Sequence, residues 1–266
     1  MEWQKIERKL QMKELDKDIL TIADIAYTMD PSALAINASY EDLYEMIDAC
    51  KKYNFGSSFT WPAYYPVFSA ELKKTNTLFG ASLAFPSGQE PTFIKEKQAE
   101  WFMTMEPAEV DMVMNVGWLR SKKFKETEAD IMAVRRVIGD TSLKVIIEAM
   151  QLTDEEIADA CKVCISASAN YVKTGTGFST TPTTLHHVEV IKATIGDQIN
   201  LKVAGGVRDL KTLLQMYKRG ARRFGIGYKN SVKIIEEAML LPGGEIDVKE
   251  ADNLALPEAD TAESNY

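Results

Sequence analysis

Two lysines of this chain lie where a charged side chain is costly to place. Lys173 stands in Asn-Tyr-Val-Lys-Thr-Gly-Thr-Gly, and Lys202 stands in Asn-Leu-Lys-Val-Ala-Gly-Gly-Val-Arg. Each belongs to a short apolar run that is followed by glycines, a pattern typical of a buried strand that enters a loop. Burial disfavours an ammonium group unless it is paired or loses its proton. Because a neutral amine is a nucleophile, the pattern favours covalent imine chemistry.

A regular alternation of apolar runs and helix-periodic segments would position these lysines. After an N-terminal helix at about residues 2–14, we predict strands at 20–26, 57–61, 81–85, 110–115, 143–148, 171–173, 201–204 and 223–226. Between them we predict helices at 40–53, 93–105, 122–138, 154–166, 183–195, 210–218 and 232–241.

This alternation predicts a (β/α)8 TIM barrel in a single domain, residues 1–241, followed by a flexible acidic tail, residues 242–266. Asp111, Lys144, Lys173 and Lys202 recur about every 30 residues, the length of one βα unit. A doubly wound open sheet is the alternative. It is less favoured because no Gly-x-Gly-x-x-Gly motif follows an early strand.

In such a barrel the active site lies at the carboxyl ends of the strands. Strand alternation turns Lys173 and Lys202 toward the barrel interior, on neighbouring strands about 4.8 Å apart. We therefore expect the two amines to interact, with Asp111 as a further candidate from an earlier strand. Lys144 begins its strand, so we expect it near the opposite end with a structural role. Glu148 ends the same strand and could reach the site.

The overall composition excludes several classes of protein. The chain has 266 residues, a net charge of -8 and no basic stripe with interleaved aromatics, which disfavours nucleic-acid binding. It contains no apolar stretch of about 20 residues that could span a membrane. Its charged N-terminus lacks the apolar core of a signal peptide, so we expect a cytoplasmic location.

Cysteine and histidine usage argues against metal and redox chemistry. Cys161 and Cys164 form a C-x-x-C within a predicted helix, where both thiols would share one face and pack as small apolar groups. His186 and His187 are adjacent and are the two histidines of the chain, too few for a zinc site or a histidine-based triad. We expect neither a metal nor a cofactor.

Four of the strand ends resemble those of the deoxyribose-phosphate aldolases. The matching segments are, in order, Ala-Glu-Val-Asp-Met-Val-Met-Asn-Val-Gly, Leu-Lys-Val-Ile-Ile-Glu-Ala, Tyr-Val-Lys-Thr-Gly-Thr-Gly-Phe-Ser-Thr and Lys-Val-Ala-Gly-Gly-Val-Arg. The resemblance covers roughly residues 20–240. It implies a metal-independent class I aldolase on a (β/α)8 barrel. Such enzymes reversibly cleave 2-deoxyribose 5-phosphate to acetaldehyde and glyceraldehyde 3-phosphate.

The resemblance also implies roles for individual residues. Lys173 would form the Schiff base, Lys202 would lower its proton affinity by like-charge repulsion, and Asp111 would be the acid and base. The terminal tyrosine, Tyr266, resembles one that ends a mobile tail in some members and assists proton transfer. Substrate and phosphate contacts are implied at Thr176, Gly177, Gly205, Gly206, Gly225, Gly227, Lys229 and Ser231.

Three positions depart from the family pattern. The first-strand Asp-His-Thr-Leu-Leu-Lys-Pro motif is replaced by residues 24–31, and Phe59 stands where a cysteine is common. The eighth strand lacks the usual pair of serines and continues into Tyr228, Lys229 and Ser231. Backbone N–H groups, with Lys229 or Ser231, could still hold phosphate; alternatively, Tyr228 narrows the pocket.

Three functions therefore remain open. The first is a deoxyribose-phosphate aldolase, and the second is the same chemistry on an unphosphorylated or otherwise different aldehyde. The third is a non-catalytic barrel that binds a sugar phosphate. The expected partners are small aldehydes and sugar phosphates, without nucleic acid or membrane, and a homodimer is possible.

Overall fold

The computed structural model describes residues 15–254, and within this range eight parallel strands close into a barrel. The barrel strands, each paired with the next and the last with the first, are β2 Met29–Ala33, β3 Ser57–Thr60, β4 Leu78–Leu83, β5 Glu109–Val113, β6 Ser142–Ile146, β7 Tyr171–Lys173, β8 Asn200–Ala204 and β9 Ala221–Gly227. A (β/α)8 barrel is confirmed, and the open doubly wound sheet is excluded.

Helices follow the strands and cover the outside of the barrel. They are α1 Ile22–Thr28, α2 Tyr40–Tyr53, α3 Tyr65–Leu72, α4 Thr92–Met103, α5 Val116–Arg120, α6 Phe124–Ile138, α7 Asp154–Ser166, α8 Leu185–Ile195, α9 Leu210–Lys218 and α10 Tyr228–Ala238. Helices α2, α7 and α9 have the predicted bounds. Their starts are marked by side-chain caps at Ser39, Thr153 and Asp209, each of which accepts a backbone N–H from the first turn.

The first predicted strand, 20–26, is wrong. A short strand, β1 Ile19–Thr21, lies outside the barrel, and Thr21 then caps helix α1 through a capping box with Asp24. The first barrel strand is β2, which pairs with β3 and β9. Strand β2 was not recognised from the sequence because it contains Pro31, and a proline is uncommon in a central strand.

The segment predicted as a flexible tail is folded as far as Leu254. Strand β10 Glu245–Asp247 pairs antiparallel with β1, so that Ile246 lies opposite Leu20. The Val248 N–H also donates to the Asp18 carbonyl at 2.8 Å. The predicted N-terminal helix at 2–14 and the predicted tail residue Tyr266 lie outside the described residues.

The core lies between the strands and the surrounding helices. Apolar strand residues such as Val110, Val145, Val172 and Val203 are fully buried and belong to this layer. Their neighbours along each strand face the barrel axis because the side-chain period of a strand is two. None of the helices found between residues 15 and 254 is long and apolar enough to cross a bilayer.

Candidate active site

Lys173 and Lys202 lie opposite each other on neighbouring strands, with their Cα atoms in register between β7 and β8. Both side chains point into the barrel, where Asp111 lies between them. One carboxylate oxygen, Asp111 Oδ2, is 2.8 Å from each amine. The side chain of Lys173 is 7% exposed and that of Lys202 is fully buried. The expected interaction between the two lysines is therefore present, and Asp111 mediates it.

The surroundings of Lys173 favour its neutral form. Burial lowers the pKa of Lys173 from its ordinary value, since the barrel interior solvates an ammonium group poorly. The Asp111 carboxylate opposes this change in pKa, while the nearby charge of Lys202 adds to it. A buried amine with a lowered pKa beside an acid–base group can attack a carbonyl and exchange the protons that imine formation requires.

An aromatic ring and a glycine shape the space around the two amines. The Nζ of Lys202 lies 4.1 Å from the ring centroid of Phe59, and that of Lys173 lies 5.7 Å from it. The ring fits because the next strand carries Gly80, where an added Cβ would come within 2.2 Å of Phe59 Cζ. A Cβ at Gly225 would similarly lie 3.5 Å from Lys202 Cε and 3.1 Å from the Ala204 Cβ. Gly225 therefore borders the lysines in the pocket lining.

Asp30 and Arg223 are buried beside the lysines, although neither is among the predicted site residues. Asp30 Oδ2 lies 2.7 Å from Lys202 Nζ, and Asp30 Oδ1 accepts from the Arg223 guanidinium. Burial alone would raise the pKa of Asp30, but the charges of Arg223, Lys202 and Lys144 outweigh it and hold that pKa well below its usual range. The Ser57 backbone N–H also donates to Asp30 Oδ1 at 3.1 Å. No signal in the sequence marked Asp30, because its strand was not recognised.

A pocket of about 620 Å³ opens at the carboxyl ends of the strands. Its lining includes both lysines, Asp30 and Phe59, together with the predicted contact residues Thr176, Gly177, Gly205, Gly206, Gly225, Gly227 and Lys229. Ser231 is not part of this lining. Its hydroxyl is fully buried and donates to the backbone oxygens of Ile226 and Gly227 at 3.4 and 3.3 Å. The structure therefore does not bring Ser231 to the pocket.

The end of the pocket away from the lysines carries positive groups and backbone N–H donors. Arg208 and Asn230, which are not among the predicted residues, line it beside Gly206 and Lys229. Gly206 has a φ of +98°, and a Cβ there would come within 2.4 Å of the Pro182 Cβ, so only glycine suits this bend. The first turn of α10 faces the same space. A helix N-terminus with nearby cations is suited to an anion.

Tyr228 begins helix α10 and lines the pocket, and its hydroxyl bonds to two carboxylates of helix α2. That hydroxyl donates to Glu45 Oε2 at 2.6 Å and lies 3.0 Å from Asp42 Oδ1. These hydrogen bonds hold the phenol against α2. Asp42 also lies 3.9 Å from the Lys229 amine, which adds a carboxylate to this end.

Two contacts fix the loop that follows Lys173. Glu148, two residues after β6, accepts the Thr176 N–H at 3.0 Å and so holds the loop backbone. Further along, Phe178 packs edge-on against Trp61 and Phe85, with ring centroids 6.1 and 5.5 Å away. Phe178 and these rings bridge opposite sides of the barrel mouth and leave the pocket open on the side of β2, β8 and β9.

A parallel barrel with a buried, weakly basic lysine at its strand ends, paired with a carboxylate, is a scaffold for imine-forming lyases. The chain belongs to the DeoC/LacD aldolase family: the model of that family, described as DeoC/LacD family aldolase, matches residues 16–228.

Similar proteins carry a common name. The deoxyribose-phosphate aldolase of Histophilus somni (strain 2336) is 35% identical over 202 residues, covering 76% of this chain and 90% of that protein. The deoxyribose-phosphate aldolase of Coprothermobacter proteolyticus is 36% identical over 209 residues, covering 79% of this chain and 94% of that protein. Among solved structures, a putative deoxyribose-phosphate aldolase from Coccidioides immitis superposes with a TM-score of 0.80 at 29% identity, covering 90% of this chain and 97% of that one.

Proposed function

We propose that this protein is a deoxyribose-phosphate aldolase, which cleaves 2-deoxyribose 5-phosphate reversibly to acetaldehyde and glyceraldehyde 3-phosphate. The observation that carries the proposal is the amine of Lys173. It faces the pocket, its pKa is lowered, and it shares Asp111 with a second lysine. Family membership and the names of the relatives above support the substrate.

In the cleavage direction, the neutral Lys173 amine attacks the aldehyde carbon of the open-chain sugar and forms a carbinolamine. Loss of water gives an iminium ion. A base then removes the proton of the C3 hydroxyl, the C2–C3 bond breaks, and its electrons pass into the iminium to form an enamine. Glyceraldehyde 3-phosphate leaves. Protonation of the enamine carbon and hydrolysis release acetaldehyde and restore the Lys173 amine.

We assign the proton transfers to Asp111. Its Oδ2 binds both amines, whereas its buried Oδ1 accepts no hydrogen bond from residues 15–254 and can bind a water molecule or a substrate hydroxyl. Lys202, between Asp111 and Asp30, serves as the positive neighbour that disfavours a second charge on Lys173. Tyr266 stays a predicted helper in proton transfer, which the Tyr266→Phe variant would test by its kcat.

The phosphate is assigned to the far end of the pocket. Backbone N–H groups near Gly205, Gly206 and Gly227 would bind its oxygens, and the cations of Arg208 and Lys229 would balance its charge. Thr176 and Gly177, on the loop after Lys173, would contact the sugar. Asp42 at the same end favours a second candidate, an aldolase for an unphosphorylated acceptor, because its carboxylate opposes anion binding.

Reductive trapping tests the imine. The protein is incubated with acetaldehyde and borohydride, and the modified peptide is located by mass spectrometry. An ethyl adduct at Lys173 is expected, and it should be absent in the Lys173→Met variant. If Lys173 carried no adduct, both aldolase candidates would be wrong and a non-catalytic sugar-phosphate barrel would take their place.

Substrate comparison separates the two aldolase candidates. The kcat/KM for cleavage of 2-deoxyribose 5-phosphate should exceed that for 2-deoxyribose by roughly 100-fold or more, which is the effect of two or more charge-assisted hydrogen bonds. Equal values would favour the unphosphorylated acceptor. A homodimer and a cytoplasmic location stay predictions from the sequence.

A further inference from the structure

One carboxylate oxygen of Asp111 is buried without a hydrogen-bond donor. Asp111 Oδ2 lies 2.8 Å from the amine of Lys173 and 2.8 Å from that of Lys202. The other oxygen, Oδ1, accepts no hydrogen bond from residues 15–254. Asp111 is fully buried, and a carboxylate oxygen in such a place is costly to leave without a donor. We therefore searched the barrel wall around Asp111 for a donor.

Ser82 lies beside Asp111 on the neighbouring strand. The two Cα atoms are partners in the register between β4 and β5, and residues in register on adjacent strands point to the same face of a sheet. Asp111 points into the barrel, where it meets the two lysines. Ser82 follows Gly80 by two residues, and Gly80 borders the Phe59 ring inside the barrel. The Ser82 hydroxyl and the Asp111 carboxylate thus lie side by side in the barrel interior.

A tyrosine from the outer layer reaches the same point of the barrel wall. Tyr65 begins helix α3, and its ring packs against Phe79, Phe102 and Trp101, with ring centroids 5.1, 5.1 and 6.1 Å away. The register between β3 and β4 covers the first two residues of each strand and ends before Ser82. The Ser82 N–H donates instead to the Tyr65 hydroxyl, at 2.6 Å. The phenol oxygen therefore lies in the wall of the barrel, next to Ser82.

The hydroxyls of Tyr65 and Ser82 form a pair beside the Asp111 carboxylate. Burial raises the pKa of the Tyr65 phenol and the Asp111 charge adds to this, whereas hydrogen bonds from the backbone and the side chain of Ser82 act in the opposite direction. Two hydroxyls that bond to each other have one hydrogen left to donate. Neither hydroxyl donates to another group within residues 15–254. The pair therefore has a donor in excess, and Asp111 Oδ1 is an acceptor in excess.

Water can reach this point from the side of Ser82. Ser82 keeps 3% of its surface accessible to water, whereas Tyr65 and Asp111 are fully buried. A water molecule beside Ser82 would accept the remaining hydroxyl hydrogen and donate one of its own hydrogens to Asp111 Oδ1. This arrangement satisfies the donor and the acceptor together, as buried water molecules commonly do.

We propose that Tyr65 and Ser82 are positioning residues for Asp111: through one bound water molecule, their hydroxyls supply the hydrogen bond that fixes Asp111 Oδ1. Neither residue touches substrate, since neither belongs to the lining of the pocket. A carboxylate that is bound at Oδ2 alone can turn about that oxygen, whereas one that is bound at both oxygens keeps its orientation for proton transfer. The inference rests on the proposed role of Asp111 and adds two residues that are not among the predicted site residues.

Kinetics of Tyr65→Phe and Ser82→Ala test the inference. Each substitution should lower kcat for cleavage of 2-deoxyribose 5-phosphate by about tenfold, the effect of one hydrogen bond to a charged group, and should keep KM within about twofold. The double variant should also lose about tenfold, because both substitutions remove the same hydrogen bond. A loss of about 100-fold in the double variant, the product of two independent effects, would overturn the inference.

Two buried hydroxyls elsewhere in the barrel domain provide matched controls. The Tyr217 hydroxyl also accepts a backbone N–H, that of Lys17, at 3.1 Å, and the Ser58 hydroxyl donates to the Pro31 backbone oxygen at 2.9 Å. Neither Tyr217 nor Ser58 lines the pocket. Tyr217→Phe and Ser58→Ala should lower thermal stability and leave kcat within about twofold. If the controls lowered kcat as much as the two test substitutions, the loss would be an effect of stability and the inference would be wrong.

Hydrogen exchange of acetaldehyde separates this inference from the proposed function. In D2O the Lys173 imine loses a methyl proton to Asp111, the enamine takes up a deuteron in its place, and hydrolysis releases labelled acetaldehyde. This exchange requires Asp111 and no phosphate group. It should be about tenfold slower in Tyr65→Phe and in Ser82→Ala than in the wild type.

The possible results of the exchange experiment are distinct. Exchange at the wild-type rate in both variants would overturn the inference and leave the aldolase assignment intact. A wild type that shows neither exchange nor a borohydride adduct would overturn both. If Tyr65→Phe does not fold, Ser82→Ala decides alone, and a wild-type exchange rate in that folded variant overturns the inference.

Discussion

Phe59 presents the face of its ring to Lys202, with the amine 4.1 Å from the ring centroid. In the dry interior of the barrel the ring takes the place of water as a partner for the Lys202 cation. Gly80 makes this possible, since any Cβ there would overlap the ring. The position at which a cysteine is common in the family is thus occupied by a group that stabilises positive charge and has no acid–base chemistry of its own.

Replacement of Phe59 by leucine should therefore reduce activity. A desolvated cation–π contact contributes about 2 kcal/mol, and without it Lys202 competes less well for the protons that it shares with Lys173. We expect roughly tenfold lower kcat/KM at pH 7, with partial recovery at higher pH. Phe79→Leu is the control, because Phe79 packs against Tyr65 and Phe68 in the layer outside the barrel. An equal loss in both variants would assign Phe59 to packing alone.

Lys202→Leu should raise the pKa of Lys173. With Lys202 removed, Asp111 serves Lys173 alone, and the repulsion that disfavours a second ammonium disappears. Below its pKa, the neutral fraction of Lys173 falls tenfold for each pH unit, so a raised pKa moves the acidic limb to higher pH. We expect more than 100-fold lower kcat/KM at pH 7. An unchanged pH–rate profile would contradict this role of Lys202.

The barrel and the inward direction of Lys173 and Lys202 could be predicted from the sequence, because both depend on the periodicity of apolar residues. In a strand or helix that buries one face, apolar residues recur with the period of that element. For this reason β7 and helices α2, α7 and α9 have the predicted bounds. The first strand was missed because Pro31 breaks the strand pattern. The segment predicted instead contains Thr21, whose capping box with Asp24 begins helix α1.

Side-chain directions could not be predicted in the same way. Helix α10 begins at Tyr228 rather than at 232, which turns Tyr228 toward α2 and Ser231 into the core. The buried ion pairs beyond Asp30 depend on the reach of Arg223 and Lys144 toward Glu109 across the barrel. Such contacts join strands far apart in the sequence, and a single sequence carries no pattern for them.

Variants at the far end of the pocket should show which residues bind the phosphate of the substrate and which do not. Arg208→Ala and Lys229→Ala should each raise KM for 2-deoxyribose 5-phosphate by about tenfold, since each removes a cation from the lining. Neither should change kcat/KM for unphosphorylated 2-deoxyribose. Ser231→Ala should leave both values within twofold, because its hydroxyl binds backbone oxygens. A large KM effect in Ser231→Ala would show that the hydroxyl turns to the phosphate.

The pairing of β1 with β10 should contribute to stability and not to catalysis. Leu20 is fully buried opposite Ile246, and neither residue belongs to the lining of the pocket. Leu20→Ala should lower the free energy of unfolding by roughly 2 to 5 kcal/mol, and the melting temperature by roughly 5 to 15 °C. Ile19 is the matched control, because it lies on the same strand but is 50% exposed. Ile19→Ala should change the melting temperature by at most a few degrees, and both variants should keep the wild-type KM. Equal melting temperatures for the two variants would mean that the β1–β10 pair is not part of the cooperative core.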